Sequence, residues 1–510
     1  MKLPDEATER WWWTLGAIAV LLVGAGPATV SPDGWDVLAQ AAGWLEGRGA
    51  PEVTARWPPL WTALMVPAVA LDHVHAWGRA LNLVLAGAVA WPVFTLTRDL
   101  AGAAAARAAV CLWCLLPGVR HLAVILDARP LAWALIAFTV LWAVQNHRGE
   151  RPAAWMWIGA ALAPLARPEG ILLPVLLGTA GLLLGRGWRW SLLPAAAALL
   201  PKVVLAPGVR GFIDVEAFFG TWLELWQRPD QYALLGPTTV ETPFRRFLAQ
   251  AVAAGLETPP REFGALVRAL PGGLVFLVTG LVQAVGTVLL LGAGAGLVRG
   301  WARGSRPLRL AALAWLGTVV LIGLAPMSRG QGTPATNFLF LVPGALVLGL
   351  WGLGSLTRGR PALWAALVAV VLAEVHLSPL RVAPAAFVEG GPAAALAVAR
   401  LAQEPPPLGR VASTLTGKSV VLRAGLTHEP LPTPWEHWRP EPGLAALVTM
   451  ADAHGEDGGR TLALIDDPRW RLVWVASDDT LRAWAQLADG TWKPFADVEG
   501  PWFALWVYEG

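Results

Sequence analysis

Polar side chains at the edges of long apolar runs are expensive to keep, so they are the first places to look for chemistry. In this sequence one such place is Ser31-Pro32-Asp33-Gly34-Trp35-Asp36, directly after an apolar run that begins near Trp11. A carboxylate in a partly dry cavity can have its pKa raised to that of a useful base. The plain alternative for Asp33 is a turn or helix-capping residue, because Ser-Pro-Asp-Gly is good turn chemistry. Asp36 lies one helical turn on, placed to assist or to be solvated. Three arginines, Arg129, Arg167 and Arg329, fall at the ends of later apolar runs. There a guanidinium can grip a phosphate through two parallel hydrogen bonds. Glu169 is the natural partner to hold Arg167, and a structural ion pair at a helix start is the plain alternative for that pair. His73 and His75 are spaced i, i+2 and do not share a helix face, which argues against metal ligation. Cys111 and Cys114 sit inside an apolar stretch and form neither a readable disulfide framework nor a zinc site.

The elements that must position these residues are set by composition. Of 510 residues, 55% are hydrophobic and 54 are glycine, which brings the apolar share to about two thirds; a soluble chain has roughly 45–50% on the same count. Charged residues make up 15% and the mean hydropathy is +0.51. These values exclude disorder, a disulfide scaffold and an ordinary cytosolic enzyme, and they describe a polytopic membrane protein. A membrane-crossing helix needs about 20 mostly apolar residues. Such runs begin near Trp11, Trp77, Ala101, Pro130, Gly170, Trp188, Gly272, Pro307, Ala335 and Pro361, with a shorter one over 153–166. About eleven passes are therefore expected. The first run is not read as a cleavable signal: Trp11-Trp12-Trp13 is an interfacial anchor.

The arginines orient the spans. With the N-terminus in the cytoplasm, the short inner loops collect Arg10, Arg98, Arg107, Arg148, Arg151, Arg299, Arg303 and Arg360 among others, as the positive-inside rule asks. Two long outer loops then span 31–76 and 208–271. Within the first, Leu60–Leu71 is too short to cross and reads as an interfacial or re-entrant helix. Residues 1–380 carry a net charge of +8 and residues 381–510 a net charge of −5. The basic excess therefore belongs to the membrane part and does not indicate nucleic acid. From about 381 onward short β-type runs appear at Arg410–Thr414, Thr461–Ile465, Leu472–Val475 and Phe503–Tyr508. Leu481–Leu487 and Thr491–Phe495 flank Ala488-Asp489-Gly490, a hairpin signal. An Ala-rich helix precedes the stiff linker Pro405-Pro406-Pro407. The expected fold is a polytopic α-helical membrane domain, 1–380, followed by a small extracytoplasmic α/β cap domain, 381–510.

Three motifs carry a resemblance. Asp33 stands eight residues before Ala41, which opens Ala41-Ala42-Gly43-Trp44-Leu45-Glu46-Gly47-Arg48-Gly49, and Trp57-Pro58-Pro59-Leu60-Trp61 follows. This resembles the first periplasmic loop of GT-C glycosyltransferases, the multi-span enzymes that use polyprenyl-phosphate sugars. Thr97-Arg98-Asp99-Leu100-Ala101-Gly102 resembles their cytoplasmic turn between spans two and three. Ala166-Arg167-Pro168-Glu169-Gly170-Ile171-Leu172-Leu173 resembles their Arg-x-Glu-Gly turn after the fifth span. The likeness covers roughly residues 10–360. It is nearest in kind to bacterial dolichyl-phosphate-mannose–protein mannosyltransferase-like and lipopolysaccharide sugar transferases.

The resemblance implies a GT-C-like enzyme of the bacterial inner membrane with its C-terminal domain outside. A sugar would pass from a polyprenyl-phosphate donor to a lipid, glycan or protein acceptor, with inversion at the anomeric carbon. Asp33 would be the base or positioning carboxylate for the acceptor hydroxyl, with Asp36 beside it. Arg129, Arg167 and Arg329 would hold the donor phosphate, supported by Glu169 and Asp127. Most of the 30 tryptophans read as interfacial anchors and packing; Trp35, Trp57 and Trp61 are the candidates for acceptor or sugar contact. The sequence departs from the family in two places. In Leu126-Asp127-Ala128-Arg129-Pro130-Leu131, Arg129 stands where an acidic residue is expected and Asp127 is displaced by two. Thr336-Asn337-Phe338 stands where relatives carry Arg-Tyr. Some members bind a divalent metal with the second carboxylate and others dispense with it, so no fixed cofactor is implied. A non-catalytic lipid-glycan binding or assembly subunit is the main rival reading. A transporter of a lipid-linked intermediate is the lesser one, because no repeated halves with broken helices are visible.

Overall fold

The computed structural model describes residues 6–24, 29–30, 32–45, 59–167, 170, 172–183, 196, 281–282, 284–303, 341–357, 360–377, 391–413, 417–430, 440–450, 469–477 and 502–509. The chain divides into two compact units. One comprises Met1–Ala28, Gln40–Leu234 and Leu248–Ala383; the other comprises Thr29–Ala39, Leu235–Phe247 and Pro384–Gly510. The two-residue strand β1 (Thr29–Val30) and the start of helix α2 (Pro32–Leu45) thus group with the second unit.

The first unit is built of helices, several of which start near the apolar runs. They are α1 (Glu6–Val23), α3 (Pro59–Ala70), α4 (Val74–Ala88), α5 (Ala90–Ala101), α6 (Ala103–Leu115) and α7 (Pro117–Leu122). After the short strand β2 (Ile125–Leu126) come α8 (Arg129–His147), α9 (Ala153–Ala166), α10 (Leu172–Leu183), α11 (Thr287–Arg303), α12 (Val342–Thr357) and α13 (Pro361–Leu377). The runs near Trp188 and Pro307 lie outside the described residues. Val89 keeps helical angles between α4 and α5, so the two form one continuous rod, Val74–Ala101. Among the described residues this is the one helix long and apolar enough to cross a membrane by itself; seven other apolar helices run 10–17 residues. Gly102 takes φ +88 and donates its N–H to Arg98 O at 2.9 Å, the left-handed stop that lets α6 turn back on α5. Pro117 and Pro361 open α7 and α13, where a missing N–H costs nothing.

Packing follows small and aromatic side chains. Trp113 and Trp133 meet edge to face at 5.3 Å, and the Trp113 indole N–H donates to Ala86 O at 2.8 Å. Met156, Ala160 and Ala163 of α9 pack with Leu173 and Leu177 of α10 and Ala143 of α8. Where α11 meets α12, the backbones touch. A β-carbon at Gly296 or Gly352 would run into the facing carbonyl of Leu348 or Gly292, the close approach that small residues allow between helices in lipid. Glu374 of α13 accepts the backbone N–H groups of Thr287 and Val288 (3.1 Å for Val288). It thereby satisfies orphan donors at the start of α11, a structural use for an acid inside an apolar run.

Charged turns gather at one end of this unit. Glu9 faces Arg98 at 3.5 Å and Arg107 at 2.8 Å, and Arg148 faces Asp99 at 2.6 Å. The start of α1, the end of α5, the start of α6 and the end of α8 therefore lie together.

The second unit contains a five-stranded sheet in the order β4-β3-β5-β7-β6. Its strands are β3 (Arg410–Ser413), β4 (Thr427–Pro430), β5 (Ala445–Met450), β6 (Trp470–Ser477) and β7 (Trp502–Tyr508). β3 runs parallel to β4 and β5, and β7 runs antiparallel to β5 and β6. Helices α14 (Gly391–Gln403) and α15 (Gly417–Arg423) close a core of Ala397, Leu401, Val411, Val420, Leu447, Trp474, Phe503 and Leu505. The runs expected at Thr461–Ile465 and over 481–495 lie outside the described residues.

Candidate functional site

The site is best built from the start of α8. Pro130 fixes the first helical turn. Two residues ahead of Arg129, the Asp127 side chain folds back and its Oδ1 accepts the Arg129 backbone N–H at 2.8 Å, an Asx-type turn. Asp127 is almost wholly enclosed, at 1% exposure. The same Oδ1 lies 3.7 Å from Arg129 Nε and 3.6 Å from Arg167 NH1. The two guanidiniums are themselves largely enclosed, with side-chain exposures of 12% and 7%. A buried carboxylate is costly unless opposite charge and hydrogen bonds reach it, and here both do.

Arg167 arrives from the other side. It caps the C-terminal end of α9 in an extended conformation, and its N–H still donates to Ala163 O at 3.1 Å. A cation suits that end of a helix. The chain then folds back: the Gly170 N–H donates to Arg167 O at 2.9 Å. A β-carbon at Gly170 would strike the backbone of Ala163 and Pro164. The glycine of the Arg-x-Glu-Gly turn is thus required by close approach to α9, which keeps Arg167 aimed at Asp127.

His121 of α7 lies near this group. Burial, with the positive charge of Arg129 added, pushes its pKa down to about 4. At neutral pH it adds no charge. Two guanidiniums and one carboxylate thus meet in a region largely removed from water.

The other candidates fall as follows. Asp33, Trp35 and Asp36 lie in the opening turns of α2. Their side chains lie outside the described residues, as do Trp57, Glu169 and Arg329. The carboxylate that the structure brings to Arg167 is Asp127. Trp61 of α3 is fully buried and offers no open ring face for a sugar to stack upon; it is a packing residue. The interfacial helix expected at Leu60–Leu71 is α3, packed through Trp61, Thr62, Met65 and Ala68. Its Thr62 donates to Gln40 Oε1 at 3.0 Å, and Leu64 O accepts the Trp77 indole N–H at 3.0 Å.

Two polar residues in apolar runs were passed over in the sequence: Asn82, whose amide donates to Ile125 O, and His121. Asn82 was open to the rule that polar residues inside spans carry a purpose. Among the described residues no group of three or more His, Cys, Asp or Glu side chains comes together as a metal site. The donor set around Asp127 is two cations, which does not fit a divalent ion.

This arrangement of helices is found in solved structures. The chain matches ArnT from Cupriavidus metallidurans bound to undecaprenyl phosphate with a TM-score of 0.52, at 13% identity, over 98% of each chain. It matches the Archaeoglobus fulgidus oligosaccharyltransferase, in complex with Zn and sulfate, with a TM-score of 0.52 at 10% identity. That second match covers 82% of this chain and 62% of the other, so this chain spans less than two thirds of the oligosaccharyltransferase's length. No family model and no curated protein matches the sequence.

Proposed function

We propose that this chain is a GT-C glycosyltransferase of the bacterial inner membrane that moves a sugar from a polyprenyl-phosphate donor to a lipid, glycan or protein acceptor on the outer face. The observation that carries the reading is the gathering of two guanidiniums on one buried carboxylate within this fold. Guanidiniums suit the phosphate of a lipid headgroup, which they can grip through parallel hydrogen bonds. The fold likeness over the whole length to ArnT bound to undecaprenyl phosphate supports a lipid-phosphate partner.

In this reading the acceptor hydroxyl oxygen attacks the anomeric carbon and its proton passes to the Asp33 carboxylate, with Asp36 assisting. The bond from that carbon to the phosphate oxygen breaks, and the electron pair leaves with the polyprenyl phosphate. Arg129, Arg167 and Arg329 hold the charge that develops there. Asp127 fixes the direction of the first two, and Glu169 supports Arg167. No step needs a metal ion. The rival reading, a non-catalytic lipid-glycan binding subunit, is favoured by one observation: Arg129 stands where an acid is expected.

The test uses the purified full chain, undecaprenyl phosphate binding, and transfer from polyprenyl-phosphate sugars in membranes. Asp33→Asn is expected to keep binding and to lose roughly 10²–10⁴-fold in transfer, the range for a general base. Arg167→Ala is expected to lose binding. Undiminished transfer by a folded Asp33→Asn protein ends the base assignment, and binding without transfer by the natural chain selects the rival.

A further inference from the structure

Asn82 is wholly buried in α4, within the apolar stretch Ala80-Leu81-Asn82-Leu83-Val84-Leu85. Its side-chain N–H donates to the backbone oxygen of Ile125, the first residue of β2. Its side-chain oxygen meets no donor. A half-satisfied buried amide is worse for stability than an apolar side chain of similar size. Helix stability therefore does not explain this residue.

Gly78 lies one turn earlier on the same face of α4. A β-carbon there would come within 2.6 Å of Leu126 Cδ1 and 2.9 Å of Leu126 Cγ. Gly78 and Asn82 together make a socket: one admits the Leu126 side chain, the other holds the Ile125 carbonyl. The next residue along the chain is Asp127, whose Oδ1 takes the Arg129 N–H at 2.8 Å and faces Arg129 Nε at 3.7 Å and Arg167 NH1 at 3.6 Å. An extended chain advances about 3.3 Å per residue and a one-residue slip reverses every side chain. A slip at Ile125 would thus move Asp127 by about its whole distance to the arginines and turn it away from them.

We propose that Asn82 is a positioning residue. By fixing Ile125, with Gly78 seating Leu126, it sets where Asp127 stands and so where Arg129 and Arg167 present their guanidiniums. The inference rests on the donor-phosphate reading of those two arginines. Asn82 acts through the backbone of another segment and touches no reacting atom.

The test is made on the detergent-purified full chain, with Asn82→Leu removing the donor at similar size and Gly78→Ala disturbing the same socket independently. Thr97→Val, a buried polar residue of α5 near the opposite end of the rod, is the control. Two quantities are read on monodisperse protein: hydrogen exchange of residues 123–129, and the Kd for undecaprenyl phosphate. Asn82→Leu is expected to speed exchange of that segment about tenfold and to raise the Kd about tenfold, while Thr97→Val changes neither. If Asn82→Leu does not fold, Gly78→Ala gives the same two readings. Unchanged exchange overturns the inference. Faster exchange with an unchanged Kd also overturns it, because a purely structural role would loosen the segment without touching the folded site. If the natural chain binds no undecaprenyl phosphate, the donor reading falls, and the exchange measurement still decides whether Asn82 places the segment.

Discussion

Asp127 sits between two arginines that come from opposite directions, one at the start of α8 and one at the end of α9. Removing its charge takes from both enclosed guanidiniums the carboxylate they share. Asp127→Asn is therefore expected to destabilise the chain by about 3–5 kcal/mol, the usual result of breaking a buried ion pair from one side; thermal unfolding in detergent measures it. His121 gives a second residue-scale expectation. Its folded pKa is pushed down to about 4, against an ordinary value near 6.5. Between those values the unfolded chain binds the proton and the folded chain does not, so stability is complete above the upper value and is lost as pH falls through the window. The unfolding midpoint of the natural protein is expected to drop more from pH 7 to pH 5 than that of His121→Asn; equal drops would refute the burial account. The arginines of this group were legible in the sequence because charge at the edge of an apolar run stands out. Asp127 was legible beside them only through the family resemblance. Asp127 stands forty positions before Arg167 in the chain, and only folding brings the two to 3.6 Å.

At the scale of elements, the helix starts were legible because apolar runs and prolines mark them; α3 and α9 fall within a residue or so of the stretches read from sequence. Composition gave no signal for two of the strands. Strand β5 is Ala445-Ala446-Leu447-Val448-Thr449-Met450, whose alanines and leucine read as helix formers, yet its burial between β3 and β7 decides the outcome. Strand β4, Thr427-His428-Glu429-Pro430, lies at the sheet edge, where polar residues and proline are tolerated. The meeting of α11 and α12 was likewise hidden, since neighbouring glycines look alike until a facing helix selects among them. Gly352→Leu forces a side chain into the backbone of Gly292 and is expected to cost about 1–3 kcal/mol, as overpacking does. Gly294→Leu, with nothing within 4 Å of the added carbon, is expected to be neutral or slightly stabilising. Paired unfolding midpoints separate the two, and equal effects would contradict the interface.

For the whole molecule, the reading proposed above puts the ion-paired end of the helical unit in the cytoplasm, as the arginine distribution suggests. Cysteines placed singly at Leu71 and Glu150, in a chain freed of Cys111 and Cys114, test this with a membrane-impermeant maleimide on intact cells. Leu71→Cys is expected to label at once and Glu150→Cys only after permeabilisation; the reverse pattern would invert the orientation.

The rod formed by α4 and α5 then acts as a depth gauge. Its 28 residues measure about 42 Å at 1.5 Å per residue, and a ~20° lean removes only about 3 Å. Hydrocarbon is about 30 Å thick. Counted upward from Arg98, that thickness is used up near Gly78, leaving Asn82 about one turn below the far boundary. In that proposed orientation the socket on α4, and the charged group it serves, stand close to the far boundary of the hydrocarbon. A donor whose phosphate is met at that level keeps its isoprenoid tail among acyl chains throughout turnover. It is spared roughly 0.8 kcal/mol for every methylene that would otherwise be drawn into water.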